Sequence, residues 1–108
     1  MNVVPGVADP LEMQVRLRAL GMDEVCFDPK TTQLMLFGML LAEASEAAPS
    51  HAIAARCVGA SWAELQAVVA LAALLRGLPA ADLGAAALAN IVKREREDAV
   101  AAAVACYG

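Results

Sequence analysis

Cations, aromatics and histidine are all scarce in this chain. Eight Lys and Arg stand against 12 Asp and Glu, for a formal net charge of −4, and aromatic residues make up 4%. No Lys/Arg cluster is interleaved with aromatics, so nucleic acid is not expected as a partner. The three cysteines, Cys26, Cys57 and Cys106, are odd in number and far apart, and no Cys-x-x-Cys pair exists. That pattern excludes a disulfide framework, a dithiol redox site and a structural zinc site, so no metal and no cofactor is expected. Each cysteine reads as a small buried hydrophobe. The apolar runs are broken well short of the ~20 residues that a membrane span needs. The opening MNVVPGVADPLE lacks the charged-then-apolar pattern of a secretory signal. No membrane partner is therefore expected, and a reducing cytoplasm is the expected compartment.

Apolar residues, by contrast, are in excess. They make up 60% of the 108 residues, against 19% charged; typical domains run nearer 45–50% and 25%. A chain of this length reads as a single domain over 1–108, with too much surface per volume to hide so many apolar side chains alone. Exposed apolar faces mark interfaces. The expectation is an obligate homo-oligomer whose interface exceeds the ~2,000 Å² class of stable assemblies.

Only helical patterning appears, with no strand alternation and no internal repeat, so the fold class is all-α with about five or six helices. Residues 1–8 read as an arm. Asp9-Pro10 with Glu12 forms a capping signal, Met13, Leu17 and Leu20 form one apolar stripe, and Gly21 marks the helix end. The connector Met22–Phe27 carries Val25 and Phe27 as anchors. Asp28-Pro29 opens a second helix to about Glu43, apolar nearly all round from Leu34 to Ala42 and therefore read as buried. Gly38 in its middle suggests close approach of another backbone. Ser45 reads as the next N-cap, with a break near Ala44–Ala48 and Pro49 in the first turn. That helix stops at Gly59. Ser61 and Glu64 form a capping box before a helix that reaches Arg76, where Gly77 stops it. Pro79 to Cys106 reads as helix with at most one break, its patch 93–99 as a solvated face and its apolar end as a surface that docks on a neighbour. The helices from Pro29 and Trp62 are expected to pair as a hairpin, with the helix carrying His51 between them in sequence.

The stretch Glu43–Glu64 stands out because it holds the one histidine, His51, between two of the most apolar segments, 34–42 and 65–75. An imidazole exchanges protons near neutral pH, so a ring placed there can act as acid or base.

In order, the landmarks are Asp28-Pro29-Lys30-Thr31, an apolar helix, Glu43 to His51, Gly59-Ala60-Ser61 with Glu64, then Arg76-Gly77-Leu78-Pro79-Ala80-Ala81. This series resembles the carboxymuconolactone decarboxylase family, which includes the alkylhydroperoxidase-D-type enzymes, over roughly residues 28–92. The resemblance implies an all-α bundle of the alkylhydroperoxidase-D-like type that assembles as a homo-trimer or homo-hexamer. The peroxidase branch of that family carries Cys-x-x-Cys-x-x-x-His. Counting back from His51, its two thiol positions hold Ala44 and Ala47 here, and its upstream glutamate is matched most nearly by Gln33. Dithiol peroxidase activity is thus not expected, and an antioxidant, peroxiredoxin-type role is the disfavoured reading. The decarboxylase branch keeps the histidine and has acidic residues four and five positions before it; here these are Ala47 and Glu46.

What the resemblance implies is lyase or isomerase chemistry on a small carboxylated lactone or keto acid. His51 would be the acid or base and Glu46 its orienting group. Arg56 and Arg76 would bind substrate carboxylates, with Gln33 as a further substrate-side polar group. A non-catalytic oligomeric scaffold, with the family fold and no working site, is the competing reading, since fold does not fix function.

Overall fold

A computed structural model describes residues 9–22 and 26–107. Within them the chain forms five α-helices and no strand: α1 (Pro10–Met22), α2 (Pro29–Ala42), α3 (Ala48–Cys57), α4 (Trp62–Arg76) and α5 (Leu78–Tyr107). The expected all-α class and helix number hold. The arm at 1–8 and the anchor Val25 lie outside the described residues.

Two of the capping signals form as the sequence suggests. Asp28 Oδ1 accepts from the Thr31 backbone N–H at 2.7 Å, and Pro29 occupies the first helical position, where a missing N–H costs nothing. The hydrogen bond from the Thr31 backbone holds the Asp28 carboxyl below its ordinary value, with help from the Thr31 side chain. At α4, Ser61 Oγ accepts from the Glu64 N–H and Glu64 Oε1 accepts from the Ser61 N–H, both at 3.0 Å. That second bond is the main reason the Glu64 carboxyl also sits below its usual range.

The capping box expected at α1 does not form. Glu12 turns along the helix to Arg16, 2.6 Å away, and Asp9 Oδ1 is buried without a partner among the described residues. The helix also runs one residue past Gly21, to Met22. Ser45 is not the N-cap of α3. Its Oγ accepts from the Ala47 N–H at 3.2 Å, and α3 starts only at Ala48, with Pro49 in its first turn. The cause lies upstream, in how α2 ends. Ala44 N–H donates to Leu41 O at 3.0 Å and Ser45 N–H to Leu40 O at 2.9 Å, which is the Schellman pattern. That pattern puts Ala44 at φ 53°, a conformation usually left to glycine. Ser45 is committed to ending α2 before it can begin α3.

Lys30 Nζ lies 3.1 Å from Glu64 Oε2, joining the first turns of α2 and α4. Farther along, Gly38 faces Val68, whose methyl would lie 3.1 Å from an added Cβ. These two helices therefore run parallel and are not the hairpin expected from sequence; α3 carries the chain back between them. The close neighbour at Gly38 is a side chain rather than a backbone. The hairpin is α4–α5, turning at Gly77 (φ 77°). A Cβ at Gly84 would lie 2.6 Å from Val69, so only glycine allows the two helices to approach this closely.

Alanine dominates the core. Ala48, Ala52, Ala55, Ala60, Ala72, Ala80 and Ala87 are buried, whereas the largest fully buried side chains are only Phe37, Leu41 and Leu65. Small residues bring helix axes close together but remove little apolar area from water. The larger residues stay outside: Leu74 is 85% exposed, and Leu71, Leu75 and Leu78 lie alongside it on the surface. No residue of α1 is buried, and α2 is less enclosed than its composition suggests, with Met35 and Met39 both exposed. The final helix is unbroken over 30 residues, about 45 Å. It stays against α3 as far as Glu95 and Asp98, and from Ala99 onward every described residue is exposed, so its last turns project from the bundle. The cysteines are exposed rather than buried. Cys26 lies in the connector, Cys57 ends α3, and Cys106 is on the projecting end of α5, none of them beneath a neighbouring helix.

Candidate functional site

His51 is the fourth residue of α3. The register of that helix turns Ala48, Ala52 and Ala55 into the core and leaves His51 half-buried at its margin. There the ring meets α2: His51 Nδ1 and Gln33 Oε1 are 2.7 Å apart. An amide oxygen can only accept, so Nδ1 is the donor in this pair. The lone pair of the neutral ring then resides on Nε2, the nitrogen free to exchange a proton. Gln33 remains an acceptor for Nδ1–H whether or not Nε2 is protonated, so the ring can keep its orientation through a proton-transfer cycle.

The imidazole lines a cavity of ≈ 510 Å³ between α1, the connector end and α2. Ligand sites span about 300–1,000 Å³. Its apolar wall includes Leu17, Met22, Phe27, Leu36 and Met39, and its polar lining side chains are Arg18, Thr32 and His51. A second cavity, ≈ 400 Å³, lies along the other side of α2, between α2 and α4. Thr31 is its one polar lining residue, and the rest are apolar, including Leu34, Val68, Leu71 and Leu75. Met35 and Met39 line both.

Of the residues selected from sequence, only His51 and Gln33 are brought together. Glu46 is exposed and precedes α3, with no hydrogen bond or ion pair among the described residues, so it does not orient the ring. Arg56 is engaged elsewhere. Its Nε donates to Glu95 Oε1 at 2.8 Å, its Nη1 to Ala60 O at 2.8 Å, and its guanidinium lies 4.5 Å from the centre of the Trp62 ring. It fastens α3 to the start of α4 and to α5, and it lines neither of the two cavities beside α2. Arg76 is exposed at the end of α4 and is likewise absent from both linings.

The cation that does face the cavity is Arg18, which sequence reasoning passed over. It sits on α1, upstream of the landmarks that begin at Asp28, and beside Leu17 of the apolar stripe it reads as a solvated flank. The available signal was its spacing from Gly21 and Met22, which share its helix face and the same cavity.

Cys57 lines neither cavity beside α2 but a small one of ≈ 100 Å³ with Arg94 and Asp98. Among the described residues, no three His, Cys, Asp or Glu side chains are grouped so as to hold a metal ion. No helix among them is long and apolar enough to cross a membrane. Comparison with protein-family models, with curated proteins and with solved structures finds no match to this chain.

Proposed function

We propose that the chain is an acid–base enzyme of lyase or isomerase type, acting on a small carboxylated lactone or keto acid, with His51 as the proton-transfer group. The observation that carries this reading is that His51, which lines a ligand-sized cavity, is held by Gln33 at 2.7 Å. Nε2 takes a proton from a carbon next to a carbonyl and returns it to another carbon. In the decarboxylating variant, the C–C bond to the carboxylate breaks, its electron pair passes into the carbonyl system as CO₂ departs, and the imidazolium then delivers a proton to the carbon left behind. Gln33 is a positioning residue, because it acts on substrate only through the ring.

The assembly belongs to the same proposal, as a homo-trimer or a homo-hexamer. Leu71, Leu74, Leu75 and Leu78 lie together on an uncovered apolar surface at the α4–α5 corner, which supports association with further copies.

The test is His51→Asn, with Gln33→Ala beside it, screened on carboxylated lactones and keto acids. His51→Asn should remain folded and oligomeric and lose turnover. Gln33→Ala should retain reduced turnover. If the parent turns over none of these compounds and His51→Asn dissociates or unfolds, His51 is structural, and the non-catalytic scaffold replaces the enzyme.

A further inference from the structure

The two cavities beside α2 are built from similar apolar residues, yet only the one at His51 contains a cation. Arg18 is that cation; it is exposed and has no hydrogen bond or ion pair among the described residues. The lining holds a single guanidinium, so a second carboxylate laid against its apolar wall would lose hydration without gaining a cation. The lining offers one guanidinium, one imidazole and one hydroxyl, while Leu17, Met22, Phe27, Leu36 and Met39 supply a broad apolar wall. Methionines on such a wall adapt to different ligand shapes. The volume, ≈ 510 Å³, exceeds what a compact lactone ring fills.

We propose that this cavity takes a monocarboxylate with an extended apolar body, the carboxylate paired with Arg18 and the apolar body lying against α2. This rests on the reading of the His51 cavity as a ligand site, and among carboxylated lactones and keto acids it selects those with one charge and a substantial hydrocarbon portion. Arg18 then selects for the carboxylate, and the methionine–leucine wall selects for length. A guanidinium can grip a carboxylate with two parallel hydrogen bonds, which a single ammonium cannot do.

The test is calorimetric titration of the intact protein with hexanoate, octanoate, octanol and adipate, the six-carbon dicarboxylate that matches hexanoate in length but carries a second charge, all below micellar concentration. Affinity should rise from hexanoate to octanoate, and adipate should bind more weakly than either. Arg18→Gln should weaken octanoate about tenfold, the scale of one charge-assisted hydrogen bond, while leaving octanol unchanged. Leu71→Gln, on the opposite cavity and at an exposed position, should leave octanoate affinity intact. Tighter binding of adipate than octanoate overturns the proposal. So does an Arg18→Gln variant that binds octanoate like the parent, a loss caused by Leu71→Gln instead, or no octanoate binding at millimolar concentration. None of these readouts requires turnover. A parent that binds octanoate as described but shows no His51-dependent chemistry would therefore refute the catalytic reading alone.

Discussion

α2 separates two cavities of similar size and opposite character. On one side Thr31 is the one polar residue in a groove otherwise lined by aliphatic side chains, and on the other Arg18, Thr32 and His51 interrupt an apolar wall. Met35 and Met39 reach both. The difference comes from the second wall. The α2/α4 groove is walled by α4, whose register presents Val68 together with the exposed Leu71 and Leu75. The His51 cavity is closed by α1 and by the margin of α3, which are not core-facing and so can carry polar groups at no cost to packing. Among the residues lining these two cavities, the ionisable groups are confined to the side walled by α1 and the margin of α3.

The sharpest way to break this comparison is to remove the imidazole proposed to transfer the proton. His51→Asn should lower turnover about 10²–10⁴-fold, the usual contribution of a positioned acid or base, with unchanged helical circular dichroism. An equal loss from Leu71→Gln would show that the two cavities are not functionally distinct.

A second, smaller effect belongs to the apolar side. Leu74 and Leu75 are 85% and 73% exposed, so placing charge there should leave a single chain folded. Leu74→Glu with Leu75→Glu should shift the proposed homo-oligomer toward monomer in size-exclusion with light scattering, because a buried unpaired carboxylate opposes association. An unchanged assembly would move the interface away from the α4–α5 corner.

The N-terminal ends of α2 and α4 should lose stability together in acid. Asp28 and Glu64 both hold their carboxyls below the ordinary range. A depressed folded-state value means that their stabilisation is present above the unfolded value, near pH 4, and is lost as pH falls through the folded value. Thermal midpoints should therefore drop below about pH 4. Asp28→Asn, which keeps a capping oxygen but no titrating charge, should flatten part of that drop. A variant that tracks the parent throughout would show that the Asp28 charge contributes nothing.

The smallest change is at the other end of α2. Ala44 holds φ 53° in the turn that ends the helix. Ala44→Gly removes the steric penalty of that conformation and should stabilise the chain by about 0.5–1 kcal/mol in denaturant unfolding. No gain would mean that the backbone there relaxes without cost.

Much of this architecture was legible in the sequence, and the parts that were not share a cause. Local signals were read correctly where the partner lies within four residues: Asp28 with Thr31, Ser61 with Glu64, and Gly77 between two helices. They misled where two adjacent demands met, as at Ser45, which closes α2 and so cannot cap α3. Glu12 had two local partners available and took Arg16. The site divides the same way. The structure pairs His51, the one imidazole in the chain, with Gln33 on α2. Arg56 and Arg76 were chosen for their charge, but charge does not reveal which way a side chain points.

Composition and spacing by themselves determined an all-helical chain, the caps of α2 and α4, and an apolar content too large for its own core. Those properties depend on contacts between near neighbours and on totals. Only the tertiary structure decided that α2 and α4 run parallel, that Arg56 is held against Trp62 and Glu95, and that Arg18 shares a cavity with His51. Each of these depends on the angle at which whole helices pack, which is set by side chains far apart in sequence.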